Sequence, residues 1–271
     1  MKRLTLFSAI AVSTLVLSCS QVPLTGRSQL SLVDDAVLQQ QASEAYQQFL
    51  SDPSTKVIRS GSNAQRVQNV GNKLATAINR YMQANGYGDK YNYQYQFSLI
   101  DSKDINAWCM PGGKVAIYSG ILPVTRDDAG LATVMAHEIA HAVAQHAAER
   151  YSQMTLAQGG GALVGAAVGG RSEGTQQIIG QLYGLGGQLA LLKYSRNQES
   201  EADRLGLIFM SMAGYNPDNS VAFWQRMMVA KEGNGAPPEF LSSHPSDDTR
   251  IAAIQKLLPE ARQFYTGART K

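Results

Sequence analysis

The apolar residues of the chain recur at helical spacing in three long stretches, which cover residues 32–50, 67–81 and 131–151. In each stretch they return every three or four positions, as on the buried face of an amphipathic helix. The third stretch contains neither proline nor glycine. We therefore predict three helices, and we expect the first two to be scaffold.

Strict alternation of apolar and polar residues over 91–99 predicts a half-buried strand. Its aromatic side could form a binding platform, but a sheet face packed on helices is the favoured interpretation. A second strand is predicted over 114–119, after the turn Pro111-Gly112-Gly113, and residues 106–110 lie between the two strands. Together these elements predict an α+β fold that is mostly helical and has a small β-sheet.

Two apolar runs rich in glycine and alanine, residues 159–170 and 178–192, follow the third helical stretch. Neither run reaches the roughly 20 residues that a membrane-spanning helix needs. We expect them to form a close-packed helical pair or a lid over the site.

The first 18 residues have the anatomy of a secretory signal, with a basic start, an apolar stretch and a small residue before Cys19. The end of this segment, Val16-Leu17-Ser18-Cys19, resembles a bacterial lipobox, which implies cleavage before Cys19 and diacylation of its thiol. The alternative is a plain signal peptide that is cut elsewhere. Residues 19–31 are polar, contain Pro and Gly, and are interpreted as a linker. Residues 32–271 then form a single domain.

The charge balance gives no indication of a nucleic-acid partner. The formal net charge is +3, and without Lys2 and Arg3 of the predicted signal 22 basic residues remain against 21 acidic ones, a balance of +1. We therefore predict no nucleic-acid binding. Cys19 and Cys109 are the only cysteines, so lipidation of Cys19 leaves no pair for an intrachain disulfide.

The third helical stretch carries the motif H-E-x-x-H, formed by His137, Glu138 and His141. Two histidines one helical turn apart project from the same face, so both imidazoles can reach one metal ion. Glu138 is placed to deprotonate a metal-activated water. Residues 125–128, Thr-Arg-Asp-Asp, are interpreted as the capping box that begins this helix.

A catalytic zinc usually takes three protein ligands, so a third ligand has to come from elsewhere in the chain. His146 lies five residues after His141, which rotates it away from the ligand face of a continuous helix. It is interpreted as a cap or surface residue. Cys109 would make a softer site and has no second ligand near it on its strand.

The favoured source of the third ligand is the helix that a capping box at residues 195–198 begins. Glu199 and Asp203 share one face of this helix, whereas Glu201 points about 160° away from Glu199. Glu199 could supply an oxygen ligand, and Asp203 could accept a proton from the free ring nitrogen of His137. The alternative is an acidic surface helix.

The H-E-x-x-H motif, with Glu199 and Asp203 about sixty residues later, resembles the gluzincin metallopeptidases. More narrowly, it resembles the family of CaaX prenyl proteases, HtpX and BepA, in its secreted lipoprotein branch. Further matching pieces are Asn106-Ala107 with Pro111-Gly112-Gly113, Glu201-Ala202-Asp203-x-x-Gly206, and His244-Pro245 followed by Arg250-Ile251. The resemblance covers residues 32–258 and implies a zincin-like fold.

The resemblance also implies the site. It assigns one zinc ion per chain to His137, His141 and Glu199, with Glu138 as the base. It implies that His244 approaches either the metal or the reacting carbonyl, and the alternative is a loop histidine that braces the C-terminal helix. The transition-state oxyanion would be stabilised by the metal, helped by His244 or Arg250. Substrate would add as a β-strand to the backbone of Asn106, Ala107, Trp108, Cys109 and Met110.

The function predicted on this basis is a zinc-dependent endopeptidase of the cell envelope that cleaves misfolded or misassembled envelope proteins. Ser20 follows the lipidated cysteine where a retention signal would have Asp, so a Gram-negative source predicts the periplasmic face of the outer membrane. One alternative is an envelope chaperone or assembly factor that binds zinc but is latched or rarely cleaves. Another is a zinc hydrolase that acts on small molecules or peptidoglycan.

Overall fold

The computed structural model describes residues 19–32, 34–157, 194–233, 240–241, 244 and 248–267. The predicted signal peptide and the two Gly/Ala-rich runs of residues 159–192 lie outside these residues. The described part is mostly helical with a small sheet, which confirms the predicted α+β class. Within it, no helix is long and apolar enough to cross a membrane.

The segment interpreted as a linker forms two short antiparallel strands, β1 (Cys19–Gln21) and β2 (Ser28–Leu30). We call residues 19–30 the N-terminal hairpin. Val22, in the loop between the strands, is fully buried and belongs to the main hydrophobic core. The hairpin is therefore packed onto the domain.

Eight helices form most of the described structure. The first two coincide with the predicted scaffold helices, and the first begins at Asp34, whose carboxylate accepts a hydrogen bond from the backbone N–H of Val37. The helices are α1 (Asp35–Ser51), α2 (Ser62–Ala84), α3 (Leu122–Thr125), α4 (Asp128–Val143), α5 (His146–Ala157), α6 (Arg196–Met212), α7 (Asn219–Gly233) and α8 (Asp248–Ala261).

A four-stranded mixed sheet packs against the helices. Its strands are β3 (Val57–Ile58), β4 (Gln96–Ile100), β5 (Ala107–Met110) and β6 (Lys114–Tyr118), in the order β3-β4-β6-β5. Strand β6 runs parallel to β4 and antiparallel to β5. Strand β5 is thus an edge strand, and it lies next to α4.

The alternating segment 91–99 enters the sheet only at Gln96, five residues later than predicted. Its partner strand β6 starts at Lys114, directly opposite Gln96, so no strand is available to pair with residues 91–95. Burial still alternates as expected, and neighbouring aromatic rings lie 5.8 to 6.1 Å apart along the row. Tyr93 donates a hydrogen bond to the carbonyl of Ala142 in α4 at 3.2 Å. The aromatic row therefore packs in the core and braces α4.

Helix α4 begins differently from the sequence prediction. Its cap is Asp127, whose carboxylate accepts a hydrogen bond from the Gly130 N–H at 2.8 Å. Thr125 instead ends α3, and its hydroxyl donates to the Leu122 carbonyl. The capping box predicted at residues 125–128 is therefore wrong, because a preceding helical turn uses Thr125.

The long third helix is also broken. Helix α4 ends at Val143, Gln145 has a φ of 54°, and α5 restarts at His146. A positive φ interrupts an α-helix, and a non-glycine residue rarely adopts it. The single helix predicted from the sequence is therefore two helices, α4 and α5.

Helices α4 and α6 pack closely around Gly206 of α6. A Cβ atom at this position would lie 3.1 Å from both the backbone N and the Cα of His137. This distance is shorter than most contacts of a Cβ atom, so any side chain here would push against the backbone of α4. This contact brings the acidic face of α6 to the histidines of α4.

Substitution of Gly206 by valine is expected to destabilise the protein. The added atoms would force α4 and α6 apart, and overpacking of this kind costs about 1–3 kcal/mol. The free energy of unfolding in urea measures the effect. The control is Ser200→Val, at an exposed position of the same helix, where only the helix propensity of valine changes. Equal losses in the two variants would contradict the close approach.

Candidate metal centre

Four buried side chains bring their donor atoms within 4.8 Å of one another: His137 and His141 from α4, Glu199 from α6, and His244. The two Nε2 atoms of His137 and His141 lie 3.1 Å apart. The Glu199 carboxylate faces both of them, with Oε1 3.4 Å from His141 Nε2 and Oε2 3.6 Å from His137 Nε2. The structure thus brings together the three residues that the sequence suggested as ligands.

His244 completes this cluster. Its Nδ1 lies 2.8 Å from Glu199 Oε1 and 3.3 Å from His137 Nε2, and its side chain is buried. The sequence left open whether His244 approaches the metal or braces the C-terminal helix. In this structure its Nδ1 lies among the donor atoms of the cluster.

Glu138 lies beside the cluster as a buried carboxylate. Among the described residues its Oε1 makes no hydrogen bond, and His244 Nε2 lies 3.4 Å away without hydrogen-bond geometry. Burial raises the pKa of Glu138 to about 7, with His244 opposing and Glu199 reinforcing the shift. A carboxyl group with this pKa can both accept and release a proton near neutral pH.

Asp203 and Arg250 form a hydrogen-bonded pair next to His137. Asp203 Oδ1 lies 3.0 Å from His137 Nδ1, and Arg250 donates to both Asp203 oxygens at 2.7 and 2.8 Å. Arg250 also lies 3.0 Å from Glu199 and 3.6 Å over the ring of Trp224. Burial disfavours ionisation of Asp203, but Arg250 and His137 outweigh it and hold its pKa below the usual value. Arg250 thus compensates the negative charge of these two carboxylates.

His146 was predicted to be a cap or surface residue, and this is wrong. It is fully buried, with Nδ1 2.9 Å from His141 Nδ1 and Nε2 2.9 Å from Glu201 Oε2. The prediction assumed a continuous helix, whereas the break at Gln145 turns His146 back towards α4. No glycine or proline in the sequence signals this break. Glu201 does point away from Glu199, but towards this buried contact and not towards solvent.

Tyr194 was not identified from the sequence. Its ring stacks on His141 with 3.9 Å between centroids and an angle of 30°, and on His244 at 5.2 Å. It directly precedes the cap of α6, so the start of that helix positions the ring. The stacking covers one side of the histidine cluster.

The side chains of the edge strand β5 are buried in the core. Trp108 packs edge-on against Phe49 and Tyr46, with centroids 5.1 and 5.9 Å apart. Cys109 is buried outside the four-residue cluster, and burial raises the pKa of its thiol well above the ordinary value. The backbone of this edge is covered as well, since each residue from Asn106 to Met110 is at most 7% exposed.

The donor set of the cluster fits zinc. Imidazole nitrogens together with one carboxylate oxygen are the ligands of catalytic zinc sites. Each α4 histidine also has a polar partner at its Nδ1, as metal-binding histidines usually do. The residues present therefore suit a single zinc ion.

Comparison with known proteins identifies relatives that are named as metalloendopeptidases and proteases. The chain is 32% identical over 247 residues to the mitochondrial metalloendopeptidase OMA1 of Schizosaccharomyces pombe, covering 89% of this chain and 67% of the relative. It is 37% identical over 164 residues to that of Saccharomyces cerevisiae, covering 59% and 45%. It is 28% identical over 164 residues to the beta-barrel assembly-enhancing protease of Escherichia coli, covering 58% and 33%. The chain thus spans less than half of the last two proteins.

Residues 62–258 match the protein family described as "Peptidase family M48", and this range includes all four residues of the cluster. This range is most of the chain, and it agrees with the resemblance that the motifs predicted. The chain belongs to peptidase family M48, and it is a zinc metallopeptidase.

Proposed function

We propose that this chain is a zinc-dependent endopeptidase of the cell envelope that cleaves misfolded or misassembled envelope proteins. The observation that carries the proposal is Glu138, a buried carboxylate with an oxygen that makes no hydrogen bond, beside a four-residue donor cluster. The relatives are named as metalloendopeptidases and as a protease that enhances β-barrel assembly, which supports protein substrates.

In the proposed mechanism His137, His141 and Glu199 hold the zinc ion. Zinc, when bound, supplies a Lewis acid that lowers the pKa of a water and polarises the substrate carbonyl. Glu138 accepts the proton of the attacking water and returns it to the leaving amine. Asp203 keeps the proton of His137 on Nδ1, so that Nε2 faces the metal.

The edge of the sheet is the proposed substrate-binding surface. This edge is buried in the structure. In this proposal it opens, and an extended peptide pairs with the backbone of residues 106–110, next to α4. Main-chain hydrogen bonds give affinity with little selection among side chains. Such binding suits unfolded or misassembled proteins.

We further propose that Cys19 is lipidated and anchors the chain to the membrane. The N-terminal hairpin starts at Cys19 and packs on the domain, so the anchor would hold the catalytic domain close to the bilayer surface. With Ser20 next to the anchor, the proposed location is the periplasmic face of the outer membrane.

A second candidate function is an envelope chaperone or assembly factor with a latched metal site. The position of His244 favours it, because Nδ1 lies among the other donors. A catalytic zinc keeps one position open for water, and a fourth protein ligand would fill it. In that state the chain would bind proteins without cleaving them.

Replacement of Glu138 by glutamine is expected to abolish cleavage of unfolded casein while zinc stays bound. Loss of a general base lowers rates by about 10²- to 10⁴-fold, and glutamine preserves the shape of the side chain. Proteolysis assays and zinc content per chain measure the two effects. Glu44→Gln makes the same change at an exposed position and serves as the control. Full activity of the Glu138 variant would sink the proposed mechanism.

If the latched state of the second candidate is correct, replacement of His244 by alanine is expected to increase casein cleavage and to weaken zinc binding. Removal of the fourth donor opens a position for water but leaves three ligands in place. Initial rates of casein cleavage and zinc affinity from chelator competition distinguish a fourth ligand from a group that stabilises the transition state. A slower variant with unchanged zinc affinity would instead assign His244 to transition-state stabilisation.

Replacement of Cys19 by serine is expected to release the protein from the membrane fraction of a Gram-negative host. Incorporation of labelled palmitate should disappear as well, since residue 19 then has no thiol for diacylation. Cys109→Ser removes the other, buried cysteine and should change neither result. Undiminished labelling of the Cys19 variant would rule out this anchor.

A further inference from the structure

Each α4 histidine of the cluster has a carboxylate behind it, but the two arrangements differ. His137 Nδ1 contacts Asp203 directly at 3.0 Å. His141 Nδ1 contacts His146 Nδ1 at 2.9 Å, and His146 Nε2 contacts Glu201 Oε2 at 2.9 Å. Glu201 therefore reaches His141 through an intervening imidazole.

The geometry allows one proton arrangement that leaves His141 ready for zinc. Binding through Nε2 requires that the proton of His141 lie on Nδ1, where it points at His146. His146 must then accept with Nδ1 and carry its own proton on Nε2. That proton points at Glu201, an ionised acceptor. With the opposite arrangement, the proton of His141 would lie on Nε2 and block the metal.

Glu201 is held in place by the N-terminal hairpin. The Thr25 hydroxyl donates to Glu201 Oε1 at 2.6 Å, and Arg27 Nε donates to Oε2 at 2.8 Å. The remaining nitrogens of Arg27 donate to both oxygens of Glu149 at 2.6 and 3.0 Å. One arginine from the hairpin thus joins α5 and α6 through two carboxylates.

These contacts are sensitive to the loss of a single partner. Glu201 is 9% and Glu149 7% exposed, so both charges are largely removed from water. A buried carboxylate without its cation is strongly unfavourable, and it relaxes by moving towards water. This movement would remove the acceptor on which His146 depends.

We propose that the N-terminal hairpin is part of the metal site. In this proposal Thr25 and Arg27 fix Glu201, and Glu201 fixes His146, which keeps the proton of His141 on Nδ1. The four are positioning residues, since none belongs to the donor cluster. The inference rests on the assignment of His141 as a ligand in the proposed function.

The test is zinc affinity, measured by chelator competition on the full chain. Arg27→Ala and His146→Leu should each weaken zinc binding by about 10- to 100-fold, the usual effect of losing the partner of a metal-binding histidine. The double variant should be no weaker than His146→Leu alone, because both changes act through one chain of contacts.

The matched control is Arg204→Ala. Arg204 has the same side-chain exposure as Arg27, 34%, and makes two hydrogen bonds to Glu260 away from the cluster. It should leave zinc affinity unchanged. Urea unfolding of the zinc-free variants checks that the fold persists. If His146→Leu does not fold, Thr25→Val takes its place, with a several-fold loss expected and no further loss when it is combined with Arg27→Ala.

Two results would overturn the proposal. One is unchanged zinc affinity of a folded Arg27→Ala variant, and the other is strictly additive losses in the double variant. His141→Ala separates this failure from that of the proposed function. If His141→Ala loses zinc while Arg27→Ala does not, only the role of the hairpin fails. If His141→Ala binds zinc like the wild type, the ligand assignment itself fails, and this proposal with it.

Discussion

The close packing of α4 against α6 is the contact on which the rest of the structure depends. It places two histidines and a glutamate of one helix against the acidic face of another, and Gly206 permits the distance. Burying so many ionisable groups is unfavourable unless each has a partner. The surrounding elements supply these partners: α8 provides Arg250, the break after α4 provides His146, and the N-terminal hairpin provides Thr25 and Arg27.

The buried carboxyl groups of the site have different pKa values, which suit them to different roles. Burial dominates at Glu138 and raises its pKa to about 7, whereas contacts with histidines and Arg250 hold the pKa values of Glu199 and Asp203 below their usual range. Carboxyl groups driven apart in this way can serve as proton acceptor and as permanent anions within one site. The same helices thus provide a group that exchanges protons and groups that remain charged.

The two histidines of α4 differ in how their Nδ1 atoms are held in place. The support of His137 comes from α6 and α8, whose contacts are direct and mutual. The support of His141 passes through His146 to a segment more than a hundred residues earlier in the chain. A site assembled in this way can be influenced through the N-terminal hairpin without any change in its ligands.

The sequence by itself determined the elements that follow from local periodicity and spacing. The first two helical stretches, the burial alternation of residues 91–99, the ligand face of α4 and the capping box of α6 are all short-range properties, and the structure contains each of them. Tertiary structure alone decided the break at Gln145, the inward turn of His146, the stacking of Tyr194 and the docking of the hairpin on Glu201. These features depend on which distant groups meet. A positive φ at a glutamine, or a pair of buried glutamates held by one half-buried arginine, is stable only when the surrounding fold compensates its cost, and no local pattern records that compensation.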